Sequence, residues 1–327
     1  MSKTAFITGA TGFLGQHLVD VLVRDGHIVI AFVRGSSKTA ALEALGVQCV
    51  VGNMHDAASI AAAMPMDVDL VIHAAANLTA WQPKHSDQWE DNVVATQAMC
   101  DAALKRHAKR FVFVSSITSY GVASTVWTED MAQEGHRSGL HYAATKLAAE
   151  EHVRDATRQG LHAVIVNPCH ILGPYDTQMW SRLFILISKN ALDGIPPGGG
   201  SFAYGPHVAR AILAAAEKGR VGHNYILGGP NASFQDLLVT AAAALGKEET
   251  RAPLPRPLFL FLGWAYDWYS YLITGSEPPL TYEGAVLTTA SMFADSSKAK
   301  TELGYTTMPL DEMVRDTISW LKTQDLV

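Results

Sequence analysis

Eight residues near the start of the chain constrain its architecture more than any other feature. T-G-A-T-G-F-L-G, at 8–15, spaces Gly9, Gly12 and Gly15 three residues apart. The apolar run Thr4–Thr8 precedes it, and a stretch with apolar residues at helical spacing, 13–25, follows. Glycine permits the tight turn from strand to helix and lets the backbone approach a pyrophosphate closely. The N–H groups and dipole of the new helix then face the anion. A glycine triplet alone is weak evidence, but a strand before it and an amphipathic helix after it supply the required context. The loop is read as a dinucleotide cradle, with Gly9, Thr11, Gly12, Phe13, Leu14 and Gly15 facing the cofactor.

The next 160 residues repeat the same alternation. Val-, Ile- and Phe-rich runs at 28–33, 48–51, 70–73, 111–115 and 163–167 suit strands buried on both faces. Between them, 38–45, 56–64, 87–107 and 142–159 carry helical periodicity. Strands separated by helices imply βαβ units. Beyond residue 170 the pattern loosens. G-I-P-P-G-G-G at 194–200 reads as a loop, 201–204 as a short strand, and 206–217, 233–245, 258–273, 296–303 and 310–321 as helices. The expectation is an α/β chain: a Rossmann-type doubly wound parallel sheet with a small, mostly helical C-terminal substrate lobe. Residues 1–173 would bind cofactor and carry the catalytic groups, and 174–327 would form a lobe interleaved with them, without an independent fold.

Composition supports a large core and removes several function classes. Of 327 residues, 48% are hydrophobic and 17% charged, against roughly 25% charged in an average domain, so disorder is excluded. A net charge of −6 argues against a nucleic-acid binder. Cys49, Cys100 and Cys169 are too scattered for a disulfide framework or paired zinc ligands. His136 and His141, five apart, lack the spacing of a metal site. No signal peptide precedes the first strand, so a metal-free cytoplasmic protein is expected. The aromatic-rich segment 258–273 is interrupted by Asp267 and is too short for a transmembrane span. It has three readings: a core helix, an aromatic lid over the substrate, or a peripheral helix in a membrane interface.

The end of the second strand bears on which dinucleotide binds. An NAD site places an acidic residue about 20 residues beyond the glycines, on the ribose hydroxyls. Here Arg34 stands nineteen residues after Gly15, followed by Ser36 and Lys38, with no acidic residue between Ile28 and Leu42. A guanidinium pairs with a 2′-phosphate, so NADP(H) is favoured over NAD(H).

Tyr142 and Lys146 lie i, i+4 in the alanine-rich H-Y-A-A-T-K-L-A-A-E, on one helix face. A neighbouring ammonium would stabilise a phenolate and lower the phenol's pKa from its usual value near 10. Ser116 follows the fifth strand at the carboxyl edge, where ligands bind in open α/β sheets.

With these motifs the chain resembles the extended short-chain dehydrogenase/reductase superfamily, in its dihydroflavonol-4-reductase-like and 3β-hydroxysteroid-dehydrogenase-like branch. The resemblance rests on 8–15, V-I-H-A-A-A at 71–76 and D-N-V-V-A-T at 91–96. It continues in F-V-F-V-S-S-I-T-S-Y-G at 111–121, Y-A-A-T-K at 142–146, N-P-C-H-I-L-G-P at 167–174 and A-D-S-S-K-A-K-T-E-L-G-Y at 294–305. It implies a catalytic Ser116, Tyr142 and Lys146, with Asn92 supporting the active-site helix. It also implies that Ala74, Ala75 and Ala76 pass under the cofactor and that Pro168, His170 and Ile171 flank the nicotinamide. Ser115, Tyr142 and Lys146 would border the cofactor as well. Asn53, with Met54, stands where relatives often carry an acidic residue near the adenine. G-P-H-V-A at 205–209 replaces a common V-D-D-V-A.

The implied reaction is hydride transfer between a nicotinamide and a small carbonyl or alcohol, with Tyr142 as general acid or base and the substrate hydrophobic. Two alternatives stand beside it. One is an NAD-dependent nucleotide-sugar epimerase or dehydratase, which would need basic residues for a second pyrophosphate. Only Arg182 and Lys189 lie between Gly173 and His207. The other is a non-catalytic NADPH sensor. The resemblance further implies a homodimer.

Overall fold

The computed structural model describes residues 2–327. Its strands are β1 (Thr4–Thr8), β2 (Ile28–Val33), β3 (Gln48–Val51), β4 (Leu70–His73), β5 (Phe111–Val114), β6 (Thr125–Trp127), β7 (Ala163–Pro168), β8 (His170–Leu172), β9 (Gly199–Tyr204), β10 (Asn224–Leu227), β11 (Asn231–Ser233) and β12 (Ser291–Ala294). Seven of them form one parallel sheet in the order β10-β7-β5-β4-β1-β2-β3. The chain runs outward through β2 and β3, then crosses back to place β4 on the other side of β1. That reversal opens a crevice at the carboxyl ends of β1 and β4.

Helices cover both faces, which is why the central strands are mostly apolar. On one face Leu18 and Leu22 of the helix Phe13–Arg24 and Val208 and Ile212 of the helix Gly205–Lys218 pack against Ile7, Val112 and Val164. On the other, Met99 and Ala103 of the helix Ala95–Lys105 and Val153 of the helix His141–Arg158 meet Phe6, Phe113 and Ile165. A further core joins Phe184, Phe202, Phe234, Leu237, Met313 and Ile318. It lies among the helices Trp180–Ser188, Phe234–Ala244 and Leu310–Thr323.

The expected doubly wound α/β sheet is present, with departures in detail. The edge strand β10 was not anticipated; only its last three residues, Tyr225, Ile226 and Leu227, are apolar. β9 begins at Gly199, so the glycine run expected to be a loop enters the small sheet β11-β9-β12-β6. Gly200 fits there because the His170 ring fills the space of its missing side chain: a Cβ would come within 1.9 Å of it. The expected helix 87–107 divides into His85–Trp89, a π-helical turn Glu90–Val94, and Ala95–Lys105. The segment 258–273 forms the helix Arg256–Tyr269 and a π-helical turn Ser270–Thr274. Among the described residues no helix is long and apolar enough to cross a membrane.

Candidate active site

The glycine loop lies in the crevice between β1 and β4. Gly9 has φ +75°, a conformation that side chains disfavour, and a Cβ there would meet Ala75 N at 2.7 Å and Ala74 O at 2.8 Å. A Cβ on Gly15 would fall 1.9 Å from Gly9 O. The backbone of the loop therefore passes against Ala74 and Ala75 with no room for side chains. Gly12 caps the following helix without a side-chain hydrogen bond, leaving its first N–H groups for a ligand. Beyond β2, Arg34, Ser36 and Lys38 are exposed. Asn53 uses its side-chain carbonyl within its own turn, accepting from His55 N at 3.0 Å. Met54 is partly buried against the core. A loop stripped of side chains, a bare helix N-terminus and free cationic side chains at the next strand end together fit a dinucleotide.

Beneath the loop, a buried polar chain ties β1, β4 and the helix 95–105 together. Thr8 Oγ1 and His73 Nδ1 lie 2.7 Å apart, and His73 Nε2 lies 3.1 Å from Thr96 Oγ1. Burial holds the His73 ring down to about 3, so it is neutral. Thr96 Oγ1 in turn donates to Asn92 O at 2.6 Å.

Ser116, Tyr142 and Lys146 meet at the carboxyl end of β5. Ser116 Oγ accepts hydrogen bonds from Thr118 Oγ1 at 2.9 Å and Thr118 N at 3.2 Å. Its own proton is thereby left to point at the Tyr142 phenol. Burial pushes Tyr142 up to about 12, and the Ser116 hydrogen bond opposes that rise. Lys146 does not enter that balance, contrary to expectation. Its Nζ donates to Val114 O at 2.7 Å and lies 4.4 Å from the centre of the Phe113 ring. Burial brings Lys146 down to about 7, with Glu150 pulling the other way.

Asn92 clamps this helix from the side. Its Nδ2 donates to Thr145 Oγ1 and to Asn77 O, both at 3.0 Å, while its Oδ1 accepts from Asn77 N at 2.7 Å. Thr145 sits between Tyr142 and Lys146 and donates to Tyr142 O at 2.8 Å. Asn92 also lies in the π-helical turn, a distortion frequent at functional sites.

Some anticipated residues stand apart. His170 turns its ring into the C-terminal core, enclosed by Trp180, Phe202 and Phe234 at centroid distances of 4.7–5.7 Å. Only its backbone is left to border a cofactor; Pro168 and Ile171 lie on either side of this turn-away. Ser115 directs its hydroxyl to Glu150 rather than outward. Ala76 and Thr11 are exposed, and Phe13 and Leu14 are half-buried at the head of their helix.

Two groups of neighbours were not anticipated. Glu150, fully buried one turn after Lys146, accepts from Ser115, Gln133, Arg154, Asn167 and Asn224. The spacing Y-x-x-x-K-x-x-x-E was the available signal. Beside Tyr142, the rings of His85 and His141 stack 4.1 Å apart, and His85 Nε2 lies 3.0 Å from Glu283 Oε1. Glu283 also accepts from His141 N at 3.1 Å and is pushed up to about 7 by burial.

Over residues 5–228 the sequence matches the NAD dependent epimerase/dehydratase family, more than half of the chain. The chain belongs to that family. Its cofactor class is therefore a nicotinamide dinucleotide. Among curated relatives, a putative dihydroflavonol 4-reductase of Synechocystis is 28% identical over 100% of this chain and 97% of its own length. Sterol demethylase protein B of Methylococcus capsulatus is 27% identical, over 99% of this chain and all of that protein. The crystal structure of gox2253 superposes with a TM-score of 0.84 at 27% identity, covering both chains completely. A UDP-glucuronic acid 4-epimerase from Bacillus cereus in complex with NAD shares the fold, with a TM-score of 0.77 at 21% identity over 98% of this chain and 96% of that one.

Proposed function

We propose that the protein is an NADP(H)-dependent oxidoreductase that interconverts a hydrophobic ketone or aldehyde and the corresponding alcohol. The observation that carries this reading is the convergence of Ser116, Tyr142 and Lys146 at the carboxyl end of β5, Tyr142 on Ser116 and Lys146 on Val114 O. When bound, the cofactor supplies or accepts the hydride. The chain's residues manage the oxygen. As negative charge develops there, the Tyr142 hydroxyl delivers its proton while Ser116 donates a hydrogen bond to the same oxygen. A phenol pushed up to about 12 stays protonated at neutral pH and is ready as an acid. Lys146, which donates to Val114 O, would hold the cofactor's ribose and carry positive charge beside it below about pH 7. Asn92 fixes the pitch of the helix carrying both groups through Thr145. Residues 174–327 supply the substrate lobe and are interleaved with the 1–173 cofactor domain, to whose sheet they add β10 and the helix Gly205–Lys218.

The names of relatives support carbonyl–alcohol interconversion in either direction: a putative dihydroflavonol 4-reductase and a 2-alkyl-3-oxoalkanoate reductase of Stenotrophomonas maltophilia on the reducing side, and a decarboxylating sterol-4-alpha-carboxylate 3-dehydrogenase of Dictyostelium on the oxidising side. A UDP-glucose 4-epimerase of Vibrio cholerae is also a relative, at 25% identity. Sugar epimerisation is the weaker reading here, because 174–207 offers only Arg182 and Lys189 for a substrate pyrophosphate. Following NADPH and NADH oxidation over a panel of apolar ketones, aldehydes and UDP-sugars tests the choice. Turnover of UDP-sugars alone would reverse it.

Two binding experiments test the cofactor assignment. Arg34→Ala is expected to weaken NADPH binding at least about tenfold, the scale of losing charge-assisted hydrogen bonds, and to leave NADH within about twofold. Equal loss for both cofactors removes the 2′-phosphate role. The second concerns pH. Lys146 is lowered to about 7 by burial, so it is charged below that value and loses its charge as pH rises through it. NADPH affinity is accordingly expected to fall across pH 7 to 9, by up to about tenfold per unit. In Lys146→Met the profile should be flat across that range.

A further inference from the structure

The helix Arg256–Tyr269 and the turn after it were open to three readings, and the core-helix reading does not survive the packing. The helix rests on the helix Tyr282–Thr289 along a narrow edge, where Phe259, Gly263 and Ser270 are the buried positions. Leu260 and Leu262 are half-buried, and most of the other large apolar side chains on it face outward. Exposure runs from 50% at Trp264 and Trp268 to 69% at Ile273, with Phe261, Tyr271 and Leu272 between. The rings form a continuous ladder: Phe261 to Trp264 at 5.8 Å, Trp264 to Trp268 at 6.3 Å, Trp268 to Tyr271 at 6.3 Å.

We propose that this aromatic ridge is a membrane-docking surface, inserting into the interfacial layer of a lipid bilayer without crossing it. Four observations select lipid over a protein partner. First, an aromatic side chain carries about 150–250 Å². The exposed rings with Leu272 and Ile273 therefore amount to roughly 700 Å², above the largest patch of an ordinary monomer.

Second, the ridge is convex and apolar around more than half its circumference, since Leu258, Phe261 and Trp264 are exposed on one side and Tyr266 and Tyr269 on the other. A fluid can wrap such a shape, whereas a second protein would need a matching apolar groove. Third, the outward face carries no charge from Pro257 to Ser276. The single acidic residue of the helix, Asp267, turns inward, accepts from Tyr282 N at 2.7 Å, and is raised by burial. Fourth, Trp and Tyr are the side chains that settle at the level of lipid headgroups.

The ridge is also fastened to the active-site mouth. Glu277 accepts from Thr79 Oγ1 at 2.7 Å and from Ala80 N at 3.0 Å. Glu283, on the supporting helix, holds the backbone of His141 beside Tyr142. A docked ridge therefore brings the loop 77–84 and the start of the catalytic helix toward the lipid.

Flotation of the full chain with phosphatidylcholine vesicles tests the proposal. Wild type is expected to float with the vesicles, with a blue shift in tryptophan emission, and to lose less than about twofold in partitioning between 0.1 and 0.5 M salt, because no charge pairing is involved. Trp264→Ser combined with Trp268→Ser and Leu272→Ser should lower partitioning at least about tenfold. These positions are exposed, so the thermal unfolding midpoint should be retained. The proposal is overturned if wild type stays unbound at every lipid concentration, if the triple variant binds equally, or if salt releases the protein. It is equally overturned if wild type forms a lipid-independent oligomer that the triple variant abolishes, since the ridge would then join two copies.

Discussion

Tyr142→Phe is expected to lower kcat for carbonyl reduction by at least about 100-fold, the lower end of what a positioned general acid contributes. The substitution removes one hydroxyl and keeps the ring, so packing at the head of the helix His141–Arg158 is preserved and the thermal midpoint should not move. Ser116 cannot take over, because its hydroxyl already accepts from Thr118 Oγ1 and Thr118 N and is pinned by the turn that follows β5. Its own proton has no replacement source. NADPH affinity should change by less than about twofold, since the phenol acts on the substrate oxygen. The measurement is steady-state turnover at saturating NADPH alongside a cofactor titration. Turnover within about threefold of wild type would remove Tyr142 from the chemistry.

Glu150→Ala is expected to cost about 3–5 kcal/mol of stability, the scale of breaking a buried, hydrogen-bonded ion pair. The carboxylate is fully buried and accepts from five residues drawn from the ends of β5, β7 and β10, the loop at Gln133 and its own helix. Removing it strands the buried donors of Ser115 and Asn167, and leaves Arg154 beside them without its counter-ion. Arg154 is 30% exposed and can turn partly to solvent, which places the expected loss toward the lower figure. Urea denaturation reads it directly. Glu150→Gln keeps the shape but brings its own donors, and should restore less than half. A loss under about 1 kcal/mol would show that the five donors find other partners. Because Glu150 also raises Lys146, its removal should move the pH dependence of NADPH binding to lower pH.

The parts of this site legible in sequence are those whose chemistry is local. T-G-A-T-G-F-L-G needs only its flanking strand and helix to be understood, and Tyr142 and Lys146 share a face by helical spacing alone. Glu150 obeyed the same spacing, yet a glutamate on an alanine-rich helix reads as solvated until strands distant in sequence close over it. The protonation levels of Tyr142 and Lys146 are likewise products of burial, so spacing anticipated the wrong direction for the phenol. His170 shows the converse limit: it stands two residues from Pro168, but β7 ends at Pro168 and His170 opens β8, and its ring enters the aromatic core of the C-terminal lobe. The strands β6, β8 and β11, three residues each, are made by their neighbours and had no periodicity of their own.

The π-helical turn at Glu90–Val94 controls rotational phase. Gln88, Asn92 and Thr96 follow one another at intervals of four, and all three are buried. Gln88 reaches His141 Nδ1 at 2.7 Å, Asn92 reaches Thr145, and Thr96 reaches His73. In a regular α-helix each step of four advances about 40° around the axis, so three such residues spiral away from a common target. One wider turn takes back part of that advance and keeps the three polar groups in line. The same extra residue lets Met99 and Ala103 face the apolar sheet a turn later. The helix thus presents a polar comb to the active site and an apolar flank to the core, two directions that an unbroken α-helix of this sequence would not hold together.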